Sequence, residues 1–446
     1  MVPPTHAHGA IAFLQAPVVA AAGDLVGRFP QGSQLVRLDL GAAGGAQGAV
    51  VVLTPEFFAA ADPQISFDGN WILFSGKLQR DSHWQIWQMP AVGGAPLLIT
   101  DCEGDCLKAV YLPSDEIAYT TVQGVGAERE SGVEVCAGDG ADAHAITFGP
   151  GRYEVETVLH SGRLLLSAEG PPVAHGGVGR ARRLYVVDPD GSGLMMLREN
   201  DGAGEIRGGA EELADGTIVF LQRDAARGGS AELAWIRPGA LRAAAIERGA
   251  LGYASVRALS DGMLVVSRRG VLYSVDLKRG GREALLYRDA RGSSVQAVPI
   301  AAHAAVEAYR SILHPERKTG RILCLDSYAS EDVASGRLAR HVARVRVLAK
   351  AKNGEKVLGG APVEVDGSFY ATVPADRAIR LELIGNRGEV VKAQRSWMWV
   401  RGGEDRGCTG CHENQALAPE NRSPMTLQRF DTPSALDGAV GKAARP

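Results

Sequence analysis

A short phrase recurs five times between residues 63 and 266: an approach segment, a turn centred on Gly, Ser or Asp, then a β-rich run. Its copies are Pro63–Ser75, Val110–Tyr119, Val158–Leu166, Leu213–Phe220 and Leu259–Val266. The turn positions Asp68, Ser114, Ser161, Asp215 and Asp261 stand 46, 47, 54 and 46 residues apart. Asp-Gly between alternating apolar runs predicts a hairpin whose two central residues both take positive φ. A third strand follows at Trp84–Met89, Leu184–Asp188, Leu233–Ile236 and Leu272–Asp276, and a short fourth at Pro96–Thr100 and Leu194–Leu197. Four strands at this period make the length of a propeller blade. Residues 10–54 carry the same later strands (Ile11–Leu14, Leu35–Leu38, Val50–Leu53), which brings the count to six blades over about 10–290. A β-sandwich with loops would explain the alternation but not the fixed period.

Composition agrees with a chain of turns and strands. Glycine supplies 56 of 446 residues, about one in eight against a usual share of roughly 7%. The net charge is -3, from 48 basic and 51 acidic residues with no block of one sign. Nothing there offers a nucleic acid the basic patch it requires. No apolar run approaches the ~18 residues of a membrane-spanning helix. Residues 1–27 contain no Lys or Arg, and Gln15 and Pro17 interrupt the apolar stretch 9–23. A secretory signal needs a positive start and a clean apolar core, so this beginning reads as a first strand.

Residues Pro63–Thr100, with their Ser-Phe-Asp-Gly turn, Trp-Gln-Ile-Trp strand and Gly-Gly-Ala-Pro-Leu-Leu-Ile-Thr close, resemble the propeller repeat of the TolB family. That resemblance implies a six-bladed propeller and says nothing of chemistry.

Beyond Ala301 the pattern changes. Residues 301–351 read as mixed and partly helical, with strands at Arg321–Asp326 and Val342–Ala349. Pro362–Pro374, Ile379–Ile384 and Gly388–Val391 then alternate strictly around an Asp366-Gly367 turn, as half-buried antiparallel strands do. The fold class expected is mainly β. A six-bladed propeller over 10–295 precedes a linker and small β-sandwich over 296–395, a haem-binding segment over 396–430, and a disordered tail over 431–446.

The sharpest chemical motif is Cys408-Thr409-Gly410-Cys411-His412. Two thiols at this spacing can add to the two vinyl groups of haem, and the adjacent His then ligates the iron. With six Cys and ten His in 446 residues, chance supplies such a motif about 0.002 times per chain. A structural zinc site needs four ligands, and no second CxxC or HxxxH is present. A thioredoxin-like pair belongs at the start of a helix in a βαβ unit, whereas this context is all-β.

The surrounding stretch (Pro362–Pro374, Arg395–Trp397, Arg401–Glu404 and Arg406–Glu413) resembles proteins related to the hydrazine synthase alpha subunit. The resemblance, propeller included, covers most of residues 10–425. It implies a propeller followed by a middle domain carrying one covalently attached haem c. In the synthase the motif His is implicated in zinc binding and a Tyr four residues later ligates iron. Ala416 stands at that position here, so that haem chemistry is not carried over. No second CxxCH follows before Pro446. Covalent attachment of this kind takes place outside the bacterial cytoplasm, which implies a periplasmic protein whose leader is absent from the sequence. An oxidising compartment also suits the remaining cysteines. A bridge joins two of Cys102, Cys106 and Cys136, with Cys106–Cys136 preferred, and Cys324 is a buried free thiol.

His412 is the expected proximal ligand. Met425 is the candidate sixth ligand, with His303, His314 and His341 as alternatives that more often serve as ordinary surface or capping residues. Trp397, Met398 and Trp399 would pack on the porphyrin edge or form plain core. Arg401 and Arg406 could pair with propionates or lie in a solvated loop. The function expected first is single-haem electron transfer, with a redox partner protein docking on the propeller or haem edge. A haem enzyme acting on a small nitrogen or oxygen species is the alternative, and an interaction module without haem is the third.

Overall fold

The computed structural model describes residues 9–19, 25–41, 50–124, 129–170, 182–198, 204–223, 230–238, 244–245, 251–259, 262–290, 292–304, 306–329, 342–352, 354–394, 396–410, 422–429 and 432–437. Regular structure there is almost entirely strand; the one α-helix among the described residues is Met425–Arg429. Six antiparallel four-stranded blades form the larger part. Blade two runs from Ala59–Ile65 through Trp71–Lys77 and Gln85–Pro90 to Leu97–Leu98. Blades three to six repeat that order, with innermost strands Asp105–Tyr111, Arg152–Val158, Glu205–Glu212 and Tyr253–Ala258. Blade one is composite. Ala10–Ala16, Gln34–Asp39 and Val51–Val52 supply its outer strands, and Ser293–Ile300 returns to pair with Ala10–Ala16 as its innermost. The repeat therefore closes on itself through a strand from beyond the last turn copy.

The second strand of each blade is buried on both faces because neighbouring blades stack against it. Ile72, Leu73 and Phe74 are all fully buried, which is why that stretch is a continuous apolar run rather than an alternating one. In blades two, three, four and six that strand also holds one buried small polar residue: Ser75, Thr120, Ser167 and Ser267. Ser75, Thr120 and Ser267 belong to contacts between blades. The innermost strand of every blade loses register at a bulge, and side chains of the preceding blade satisfy the amides freed there. Lys108 N–H donates to Ser75 Oγ (3.1 Å), Val155 N–H to Thr120 Oγ1 (3.0 Å) and Gln296 N–H to Ser255 Oγ (2.8 Å).

The repeated turn differs from the hairpin expected. At Asp68-Gly69 only the glycine has positive φ (79°), and its N–H donates to Ser66 O at 2.9 Å. This is a right-handed turn ended by one left-handed residue. Asp68 holds it by accepting from Asn70 N–H and Ser66 Oγ, which removes any need for a second positive φ. Gly162 and Gly216 repeat the conformation, and Asp115 adopts it (φ 59°) in blade three.

Residues 301–317 are not helical among the described residues; they cross one propeller face as an extended strap. Two of the strap's amides bond to blade turns: His303 N–H to Phe67 O (3.0 Å) and Glu307 N–H to His160 O (3.4 Å). The turn glycines permit this close passage. A Cβ at Gly69 would lie 2.6 Å from Ala302 N, and one at Gly162 would lie 2.1 Å from Glu307 O.

The strap leads into a sandwich. One sheet joins Phe369–Pro374, Thr319–Cys324 and Asp405–Cys408, the last two parallel. The other joins Gly354–Pro362, Val342–Ala351, Ile379–Gly385 and Val390–Ala393. Its core is continuous with blades three and four: Ile322, Phe369 and Val347 share one apolar cluster with Val133, Leu166 and Trp399. The sandwich is thus seated on the propeller.

The disulfide differs from the expected pairing. Cys102 bridges to Cys106 in the segment joining blades two and three (Cα–Cα 6.3 Å). Cys136 is free and faces the core beside Ile117 and Tyr119, where burial pushes its thiol up to about 11. Cys324 is buried and outside any disulfide among the described residues, as anticipated.

Candidate functional site

The segment before the CxxCH motif is anchored in the propeller. Trp399 is fully buried; its indole N–H donates to Gly191 O at 2.8 Å, and its ring meets Tyr153 edge-on at 5.5 Å. Trp397 and Met398 are buried beside it. Arg401 donates to Asp190 O, pairs with Asp376 at 2.8 Å and lies 4.7 Å over the Phe148 ring. Arg406 donates to Leu194 O. Glu404 completes the clamp, accepting Gly193 N–H (3.1 Å) and Arg401 N–H (2.7 Å). Burial pushes its carboxyl up, against the pull of those amides and Arg406. One turn of blade four, Asp188–Leu194, therefore receives an indole, two guanidiniums and a carboxylate.

These contacts place the sequence candidates. Arg401 and Arg406 reach the propeller, and Trp397 and Trp399 belong to the shared core. Cys408 ends the edge strand Asp405–Cys408, opposite Cys324 in the parallel register. Its thiol is free, and burial raises it despite Arg406 nearby. Gly410 must approach closely: a Cβ there would lie 2.6 Å from Ala329 O and 2.7 Å from Asp326 O. Cys411, His412 and His341 lie outside the described residues. Met425 opens the short helix, its N–H held at 2.8 Å by Asp366 of the sandwich turn, with Thr426 N–H on Ser368 Oγ. His303 packs on Phe67 and His314 pairs with Glu316, so both belong to the strap. A free thiol at the end of an edge strand, followed by a glycine that only a bare backbone can replace, fits haem attachment at the described half of the motif.

A second constellation escaped the sequence reading. A cavity of about 780 Å³ occupies the propeller axis, lined by the bulged inner strands. Asp62, Lys108 and Gln296 take positive φ at those bulges (55°, 52°, 55°), the kind of backbone strain that aims side chains at a site. Lys108 Nζ sits 3.1 Å from both Glu154 and Glu156, Arg182 pairs with Glu154 and Glu169, Arg28 grips Asp62 at 2.6 Å, and Arg257 meets Glu211 at 3.0 Å. Burial pushes the Glu154 carboxyl up, but Arg182 and Lys108 outweigh it and hold it at about 2. At Glu211 burial wins over Arg257, with Glu156 adding, and the carboxyl rises to about 7. Asp62, Lys108 and Glu154 sit six or seven positions before their turns at Asp68, Ser114 and Ser161, a register that only the bulges reveal.

A six-bladed propeller bearing a sandwich that ends in a CxxCH motif is the class these features define. Residues 316–413 match the hydrazine synthase alpha subunit middle domain. Over that stretch the chain is similar to that subunit. It is 32% identical over 89 residues to hydrazine synthase subunit alpha of Kuenenia stuttgartiensis, a match spanning 20% of this chain and 10% of that one. The solved Kuenenia stuttgartiensis hydrazine synthase overlays 95% of this chain on 71% of its own, with a TM-score of 0.79 at 17% identity. The shared fold therefore extends well beyond the middle domain. TolB from Acinetobacter baumannii overlays 66% of each chain at 13% identity and a TM-score of 0.47; the blades themselves, not that distant likeness, define the propeller. The expectation of a single-haem electron carrier is overturned here, because the domain bearing the motif is that of a synthase subunit.

Proposed function

We propose that this chain is a haem enzyme of the hydrazine synthase type, acting on a small nitrogen or oxygen species. The match of residues 316–413, which takes in the whole CxxCH motif, carries the reading. Cys408 and Cys411 would hold one haem c by thioether bonds, and His412 would stand beside the iron. When bound, the haem supplies redox chemistry at an iron centre. The chain's part is positional. Trp399, Arg401 and Glu404 fix the segment against blade four, and Cys324 backs Cys408 in the sandwich. Attachment of this type implies the periplasm, and kinship to a subunit implies partner subunits. Met425, the candidate sixth ligand, has no place in an enzyme with an open iron face.

Expression with a supplied leader and cytochrome maturation machinery should give haem that survives denaturing electrophoresis. Cys408→Ala should abolish it. The reduced protein should bind carbon monoxide with a shifted Soret band, and Met425→Ala should leave that spectrum unchanged. A low-spin iron that refuses carbon monoxide until Met425 is replaced would overturn the enzyme reading.

A further inference from the structure

The axial cavity lies away from Cys408, whose strand belongs to the sandwich. Turns joining first to second and third to fourth strands, Phe67, His160 and Asp188–Leu194 among them, carry the strap and sandwich. In an up-and-down blade the second-to-third hairpins must lie on the opposite face. Arg28, Arg223 and Arg269 belong to that opposite end and line the cavity with Arg207.

Charge there is unbalanced. Seven Arg and Lys side chains line the cavity against five Asp and Glu. Every one of those five carboxylates is already paired with Arg28, Lys108, Arg182 or Arg257. Arg207, Arg223 and Arg269 remain. Among the described residues, the carboxylate partner of Arg207 is Glu205, which does not line the cavity. Arg223 ends the second strand of blade five beside Glu205 in register. Arg269 tips the hairpin of blade six with φ 51°, and its neighbour Gly270 abuts Ser293 of the closing strand. Three guanidiniums from two adjacent blades thus face a hollow of a size that encloses small ligands. Each offers a planar fork suited to carboxylate or phosphate oxygens.

We propose that this end of the propeller channel binds a small multivalent oxyanion, a carboxylate or phosphate compound, between Arg207, Arg223 and Arg269. The paired residues below form the floor and hold the arginine-lined strands in place. The site is independent of haem loading, so the full chain can be tested with or without it.

Isothermal titration at constant ionic strength, with citrate and with pyrophosphate, tests the proposal and separates the two chemistries. Saturable binding of at least one is expected, weakened tenfold or more in Arg223→Ala/Arg269→Ala. Arg279→Ala removes the same charge from an exposed turn at the other face of blade six and should bind as the wild type does. Saturable binding of neither anion would overturn the site. So would an equal loss in Arg279→Ala, which would mark a general charge effect.

Discussion

Glu211 shows how a single residue reports on the channel. Its carboxyl is buried and titrates near 7, against about 4.5 in the unfolded chain. Between those values the native state binds more protons than the unfolded state, so stability falls as pH rises and levels off above about 7. The full separation corresponds to about 3 kcal/mol as an upper bound. Glu154 acts in the opposite sense: held near 2, it contributes stability that is lost only as pH falls below its unfolded value. Glu211→Gln should therefore flatten the decline between pH 5 and pH 8. Urea midpoints at the two pH values check this; a slope equal to that of the wild type would show that Glu211 is ionised throughout.

At the scale of elements, the blades are joined as much by hydrogen bonds as by apolar packing. Thr120 Oγ1 accepts the buried amide of Val155 in the next blade. Thr120→Val keeps the shape and removes the acceptor, leaving a buried donor unsatisfied at a cost of about 1–3 kcal/mol. Thr120→Ser should recover most of the loss in a denaturant melt; equal destabilisation by both would point to packing instead. The blades, the positions of their turns and the Asp366-Gly367 hairpin were legible because Gly, Asp and alternating apolar runs are local signals, while the turns' conformation, set by Asp68 side-chain bonds, was not. The strap was not. Residues 301–317 bond to turns more than a hundred residues away, so their own pattern misread as partly helical. Arg401 and Arg406 read in the sequence as propionate partners or a solvated loop, whereas the partners they find here, Asp190 and Leu194, belong to another domain that spacing cannot reveal. The channel ring escaped for a related reason: bulges displace its residues from strand register, and only the assembled repeat superimposes them.

For the whole molecule, the shared core is the governing fact. Trp399 is the largest fully buried side chain and joins Tyr153 of blade four to the sandwich. Propeller and sandwich should unfold in one calorimetric transition. Trp399→Ala should cost about 3–5 kcal/mol and split the trace in two as the sandwich melts ahead of the propeller. A single transition at an unchanged midpoint would show that the two parts are stabilised separately.

The composite first blade also dictates an order of synthesis. Ala10–Ala16 is made nearly three hundred residues before its inner neighbour, Ser293–Ile300. Until residue 293 has been made, that strand carries a bare hydrogen-bonding edge, open to pairing with any other chain. A nascent molecule is thus most exposed through the long middle of its translation, when holdase chaperones have the most to cover. The strap and sandwich follow at once after closure. The segment ending in Cys408 is therefore delivered late, to a turn at Gly191 and Leu194 that is already in place to receive it.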